Sequence, residues 1–234
     1  TSSTALFAQS GNVKKAKAAI VKYEELKAAG SAELGKSNLT AAQEAIDAAV
    51  VHDKTKDDPE AWTYYALVYS NLANLNKSAE DATKAKDAIA KATELDKDKK
   101  HADNILVAGQ TLGQFKFNEG VAAWDKQDYK TAYADFSDAL IYLPGDTTLT
   151  FYSGLAAVQN KEYDKAQKSA FDVIENMDSN DYWVAKSFIL LADTYARKGN
   201  AVQAKSTLES VIENYEADDD IIPEAKVKLQ KLKK

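Results

Sequence analysis

Apolar and polar residues follow a helical period along most of this 234-residue chain. Around Ala132, Phe136 and Ala139, for example, apolar residues recur every three or four positions and so fall on one side of a helix. Alanine supplies 40 residues, and Leu, Lys, Glu and Gln supply many of the others. Because these side chains lose little freedom in a helix, pattern and composition predict an all-α protein and argue against a β-sandwich or barrel.

The apolar pattern also repeats at a spacing of 34 residues, which indicates a helix-turn-helix unit. Gly120 and Ala132 are small enough for two paired helices to approach closely. The first copy consists of Gly120, Asp128, Tyr129, Ala132, Phe136, Ala139 and Pro144, and the second of Gly154, Glu162, Tyr163, Ala166, Ala170, Val173 and Asp178. A third copy follows with one additional helical turn, which we place within Asp178 to Trp183.

These residues resemble the tetratricopeptide repeat family, and the chain looks like an exported bacterial member of it. The resemblance implies an all-α, right-handed α-solenoid of about five helix-turn-helix repeats with a C-terminal capping helix. Residues 97–116 form either one long helix or two segments broken at a glycine. The predicted segments are a tail over 1–9, a divergent first repeat over 10–58, a second repeat with an insertion over 59–112, a three-repeat array over 113–220 and the capping helix over 221–234.

The first nine residues have no helical period and end in an apolar stretch with the small residue Ala8. Such a stretch is typical of the end of a secretory signal, so we expect an exported, periplasmic protein. The alternatives are a terminal tail without a role and a cytoplasmic location. No run approaches the roughly 20 apolar residues that cross a bilayer, so we expect no transmembrane segment in these residues.

The net charge and the few candidate metal-binding or catalytic residues exclude several classes of function. The net charge is −6 and Arg197 is the single arginine, which argues against nucleic acid as a partner. His52 and His101 have no second metal ligand at helical spacing. The acidic cluster Asp218, Asp219 and Asp220 lacks the glycine of a calcium loop and is expected to cap the last helix. We therefore expect no metal, no cofactor and no enzymatic activity.

A partner-binding surface is the remaining expectation. The resemblance implies that the first helices of successive repeats line a concave groove, where a protein or peptide would bind. The predicted groove residues are Phe117, Val121, Trp124, Phe151, Leu155 and Val158. The alternative is that the helix carrying Phe117, Val121 and Trp124 is rotated so that these three side chains pack into the core. Tyr182 and Trp183 form either a second hydrophobic contact or an anchor for the longer loop.

Two other functions stay open at this point. The apolar stripe could instead join two copies of the chain, which would make the protein a self-associating structural module and a homo-oligomer. The 12 Tyr and 3 Trp residues could stack on sugar rings in a glycan or small-molecule site.

Overall fold

The structure is a computed structural model that describes residues 2–176 and 181–232. Within these residues the chain forms eleven α-helices, and a short 3-10 turn over Ala32–Gly35 joins the first two. The helices are α1 (Ser2–Ala28), α2 (Lys36–Val50), α3 (Pro59–Asn76), α4 (Ala79–Leu95), α5 (Ala102–Asp125), α6 (Tyr129–Tyr142), α7 (Thr147–Gln159), α8 (Tyr163–Asn176), α9 (Tyr182–Arg197), α10 (Ala201–Asn214) and α11 (Ile221–Lys231). The predicted all-α fold with five helix pairs and a final capping helix is confirmed.

The chain divides into two compact units, residues 1–115 and 116–234. In unit 1, α1 packs on α2, α3 packs on α4, and the first helices α1 and α3 touch each other. In unit 2, each helix from α6 to α11 packs on the next one, and the first helices α7, α9 and α11 also touch in series. Each unit is therefore a stack of helical hairpins, as the repeat predicts.

Local signals in the sequence fix most helix ends. The Ser78 side chain accepts a hydrogen bond of 3.1 Å from the Asp81 N–H, so the Asn76–Ala79 connection ends in a helix cap. Gly199 follows α9 with a φ of +82°, the left-handed conformation that a helix C-terminus favours and glycine adopts without strain. Every helix among the described residues is too short or too polar to cross a bilayer.

The structure answers the open question about residues 97–116 and differs from two predicted segment boundaries. Residues 97–116 do not break at Gly109 or Gly113, because both lie buried inside α5. The expected boundary between residues 112 and 113 therefore falls within a continuous helix. Helix α1 begins at Ser2, so most of the first nine residues are helical although their sequence has no helical period. Export stays a prediction.

The additional turn expected within Asp178 to Trp183 lies partly outside the described residues, which omit positions 177–180. Tyr182 and Trp183 themselves do not lie in a loop but form the first turn of α9. Asp181 caps that helix by accepting a 2.7 Å hydrogen bond from the Trp183 N–H. The capped helix start fixes both aromatic residues at the same end of α9.

Close packing at the repeat core explains the small residues of the pattern. A Cβ atom at Gly120 would lie 2.6 Å from two ring carbons of Phe136, so α5 and α6 meet there only because residue 120 has no side chain. Phe136 itself is 2% exposed. The Ala132 and Ala139 side chains of α6 are fully buried in the same cluster, and Ala166 of α8 is fully buried against α7. These contacts hold the first helices of unit 2 at fixed positions.

Candidate functional site

The candidate site lies on the first helices of unit 2, where the sequence predicts a stripe of six apolar residues. On α5, Phe117 is half-buried and its ring centre lies 5.8 Å from that of Phe136. Val121 is 39% exposed. Trp124 is half-buried and meets the Tyr129 ring edge-on, with 4.9 Å between the ring centres. The α5 part of the stripe is therefore accessible at Val121 and partly accessible on either side.

The α7 part of the stripe is mostly core. Phe151 is 6% exposed and Val158 is 2% exposed, and only Leu155 is half-buried. Helices α6, α8 and α9 all pack on α7 and leave only a narrow accessible strip. The expectation of one continuous open stripe over both helices needs correction, because Phe151 and Val158 pack into the core of unit 2.

The accessible strip of α7 is instead centred on Tyr152. Thr148, Tyr152, Leu155 and Gln159 follow one another at spacings of four, three and four, and none of them is fully buried. The sequence reasoning missed Tyr152. Tyr152 directly follows Phe151, so it points about 100° away from it around the helix axis. Because α7 is apolar on nearly every side, its sequence does not show which of the two residues faces solvent.

Aromatic rings connect the three first helices in what we call the aromatic row, which consists of Phe117, Tyr152, Trp183 and Tyr182. The ring centres of Tyr152 and Trp183 are 6.2 Å apart, and those of Trp183 and Tyr182 are 5.3 Å apart. Phe117 joins the row through the buried Phe136, whose ring centre is 6.4 Å from that of Tyr152. Distances of this size are typical of favourable aromatic pairs. The row is therefore a pre-formed, partly exposed apolar surface.

Ion pairs hold the capping helix beside the Tyr182 end of the row. The Lys186 Nζ lies 2.6 Å from the Glu224 Oε2 of α11, and the Lys228 Nζ lies 2.5 Å from the Asp193 Oδ2 of α9. Burial by itself lowers the pKa of Lys186, but the hydrogen bond to Glu224 and the charges of Glu224 and Asp220 together outweigh that effect, and the pKa is raised. Burial raises the pKa of Tyr182. Lysine and tyrosine both keep a proton there at neutral pH.

A second charged group lies beside Phe117. The Lys116 Nζ is 3.0 Å from the Asp135 Oδ1 and 3.6 Å from the Asp138 Oδ2. Burial opposes the charge on Lys116, yet the hydrogen bond that it donates to Asp135 and the charges of both carboxylates raise its pKa. The α5–α6 hairpin therefore carries a satisfied charge cluster next to the row.

The other residues singled out for their chemistry have structural roles. The His52 Nδ1 accepts a hydrogen bond from the backbone N–H of Lys54. The backbone N–H of His101 donates a hydrogen bond to the buried Asp96 carboxylate. The Asp219 Oδ1 accepts a 2.9 Å hydrogen bond from the N–H of Ile221, the first residue of α11, whereas the N-cap residue Asp220 makes no side-chain capping bond. Within residues 2–176 and 181–232, no group of three or more His, Cys, Asp or Glu side chains could hold a metal ion.

The family comparison matches the part of the chain that carries this site. The family model described as "Tetratricopeptide repeat" matches residues 117–181. Over these residues the chain is similar to the tetratricopeptide repeat family. The match covers the second half of α5 through α8, which includes Phe117 and Tyr152. The match agrees with the resemblance that the repeat pattern around Gly120 and Phe136 carries.

Several solved repeat structures are similar to this chain at low identity. YrrB, described as a TPR protein with an unusual peptide-binding site, is 21% identical over 92% of this chain and 91% of its own, with a TM-score of 0.47. A tetratricopeptide repeat protein from Parabacteroides merdae is 17% identical over 94% and 86%, with a TM-score of 0.42. The TPR2AB domain of yeast Sti1, solved with pHSP90, is 13% identical over 94% and 98%, with a TM-score of 0.44. No curated protein sequence matches this chain.

Proposed function

We propose that this chain is a non-catalytic scaffold that binds a protein or peptide partner on the first helices of unit 2. The aromatic row is the observation that carries the proposal, because partly exposed rings of α7 and α9 are in direct contact and Phe117 of α5 reaches them through the buried Phe136. Tyr152 at its centre is 36% exposed. Val121 and Leu155 add aliphatic surface on the same helices.

The chemistry of the row favours a partner with an apolar segment. Tyrosine and tryptophan dominate the binding energy of protein interfaces because they bury a large area at a small cost in conformational freedom. Ring contacts already order Tyr152 and Trp183, so a partner need not order them on binding. The Lys186–Glu224 pair beside the row satisfies both charges internally, so neither of these two charges is free to attract an ionic partner.

The test compares exposed residues on and off the row. The immobilised protein and its variants Tyr152→Ser, Val121→Ser and Phe171→Ser are exposed to an extract of the source cells, and the retained proteins are identified by mass spectrometry. Phe171 is the matched control, because it is a similarly exposed apolar residue on the second helix α8. Affinities are then measured with the purified partner by calorimetry.

We expect Tyr152→Ser to weaken binding about tenfold or more, Val121→Ser to weaken it less, and Phe171→Ser to leave it unchanged. Unchanged affinity in Tyr152→Ser would refute the row as the binding surface. Sedimentation of the isolated protein tests the self-association alternative, since a dimer that Tyr152→Ser converts to a monomer would assign the row to a second copy of the chain.

A further inference from the structure

Unit 2 contains a pocket between its second helices α6 and α8, both of which pack on α7. The pocket has a volume of about 650 Å³, within the roughly 300–1,000 Å³ typical of ligand pockets. It opens to solvent, because its lining residues Pro144, Lys168 and Asn176 are exposed. Six of its fourteen lining residues carry a hydroxyl group, namely Tyr133, Ser137, Thr147, Thr150, Ser153 and Ser169.

Each of the three helices contributes one serine to the pocket. Ser153 of α7 is 2% exposed, and its Oγ lies 3.5 Å from the Oγ of Ser137 on α6. Hydrogen bonds between hydroxyl groups are usually about 2.5–3.0 Å long, so both groups keep the capacity to bond a closer partner. Ser169 of α8 is half-buried, and a Cβ atom at Gly154 would lie 2.8 Å from the Ser169 Cβ, so α8 passes close to the residue that follows Ser153. The serines therefore offer donors and acceptors from three helices to one space.

Carboxylates neutralise the two lysines that line the pocket. The Lys168 Nζ lies 2.6 Å from the Asp172 Oδ2, and the Lys165 Nζ lies 2.6 Å from the Glu162 Oε1. An anionic ligand would have to compete with these carboxylates for the lysines. The Lys165 Nζ also lies 4.7 Å from the centre of the Tyr133 ring, an attractive arrangement that holds the lysine beside the pocket. The balance of charge therefore favours an uncharged ligand.

Apolar side chains separate the polar groups of the pocket. Val173 is buried and Leu140 is half-buried, and both line the same space as the serines. A ligand that fits this lining has several groups that both donate and accept hydrogen bonds, and C–H groups between them. It carries no net charge.

We propose that this pocket binds a neutral sugar of one or two rings. A sugar hydroxyl donates and accepts hydrogen bonds, as a serine hydroxyl does, and the C–H groups of the ring match Leu140 and Val173. The Lys168 ammonium and the Asp172 carboxylate lie side by side and suit two neighbouring hydroxyls, one as acceptor and one as donor. At about 30 Å³ per water molecule the pocket holds roughly twenty waters, which suits a ligand of this size and not a folded domain.

This inference goes beyond the proposed function, because the pocket shares no residue with the aromatic row and lies beside the second helices. The two sites also differ in chemistry. The row offers rings for apolar side chains, whereas the pocket offers hydroxyl groups for a polar ligand.

The experiment titrates the full chain with glucose, galactose, mannose and N-acetylglucosamine. Nuclear magnetic resonance follows the backbone amide signals of Ser137, Ser153 and Ser169. We expect at least one of these sugars to shift the signals with a Kd in the millimolar range, as is typical of a ligand with about a dozen non-hydrogen atoms. The methyl glycoside of that sugar then distinguishes two sources, since equal binding assigns a residue of a glycan and lost binding assigns the free sugar, and both results support the inference.

Three results with other ligands would overturn the inference. The first is the absence of a shift with all four sugars. The second is equal binding of cyclohexanol, which has a similar ring with a single hydroxyl and would indicate an apolar cavity. The third is binding of glucose 6-phosphate without binding of any neutral sugar, which would indicate an anion site.

Matched variants complete the test. Ser153→Ala and Ser137→Ala should each weaken sugar binding about three- to tenfold. Ser187→Ala is the control and should not change it, because Ser187 is a fully buried serine at the equivalent position 34 residues later, outside the pocket. Tyr152→Ser should bind the sugar normally, and Ser153→Ala should retain the protein partner, which separates this site from the proposed function. Unchanged sugar binding in both serine variants of the pocket would also overturn the inference.

Discussion

Replacing Gly120 by alanine tests the close approach that holds the α5–α6 hairpin together. A Cβ atom there would lie 2.6 Å from both Cδ1 and Cε1 of Phe136. Carbon atoms in contact prefer a separation of about 3.5–4.0 Å, so the ring would have to move by roughly 1 Å. Phe136 is buried between Phe117 and Tyr152, with ring centres 5.8 and 6.4 Å away, and has little room to move.

Two effects of opposite sign decide the magnitude. Alanine in a helix interior is favoured over glycine by about 1 kcal/mol, whereas overpacking a well-packed core costs about 1–3 kcal/mol. The overpacking is larger, so we expect a net loss of about 1 kcal/mol in the free energy of unfolding. For a chain of this length that corresponds to a decrease of about 2–4 °C in Tm, which thermal unfolding followed by far-ultraviolet circular dichroism can measure.

Gly11→Ala is the matched control. Gly11 lies inside α1, and a Cβ atom there would have no neighbour within 4 Å, so the helix preference acts alone. We expect this variant to be more stable by about 1 kcal/mol or slightly less. A second comparison places Gly120→Ala in a Phe136→Leu background, where removal of the ring atoms should turn the cost into a gain.

Two results would refute this explanation of the α5–α6 contact. If Gly120→Ala is stabilised as much as Gly11→Ala, the close approach to Phe136 does not limit the packing of α5 on α6. If the cost is the same with Phe136 and with leucine at position 136, the ring is not its source.

Two further predictions concern the cap region around α11. Burial, together with the hydrogen bond to Asp219, raises the pKa of Tyr215 from its ordinary value of 10.0 to about 12. The stability that this neutral tyrosine contributes is complete below about pH 10 and is lost as the pH rises toward 12, so urea midpoints should fall over this range and fall less in Tyr215→Phe. A double-mutant cycle of Lys228→Ala and Asp193→Ala should give a coupling of about 0.5–1 kcal/mol, larger than the about 0.3–0.5 kcal/mol expected for the exposed pair Lys168 and Asp172 within α8. Equal coupling in the two pairs would contradict the idea that the Lys228 pair helps to dock the cap.

The amino-acid sequence alone determined the helical hairpins. The 34-residue pattern identified the buried positions Ala132, Phe136 and Ala139, because a residue that packs against a neighbouring helix must recur with the helical period. Ser78 and Gly199 marked helix ends through local hydrogen bonding and a left-handed φ, which depend only on nearby residues. Such signals need no knowledge of distant contacts.

Helix continuity in α5 depended on tertiary packing. Each glycine in a helix interior costs about 1 kcal/mol relative to alanine, so Gly109 and Gly113 allowed both a continuous helix and a break. Both glycines are buried. The free energy gained by burying the surrounding helix outweighs this small local cost. That gain comes from packing against other helices, so the residues next to the glycines do not reveal it.

The accessible face of α7 also depended on tertiary packing. Its sequence is apolar on nearly all sides, so the period could not distinguish Phe151, which is buried, from Tyr152, which is exposed. Contacts with α6, α8 and α9 select the orientation. These are contacts between helices, so the local structure of α7 alone does not determine them. The sequence therefore determined which residues form helices, whereas the three-dimensional packing of those helices decided which side chains a partner could reach, because exposure is a property of the neighbours that a helix acquires only on folding.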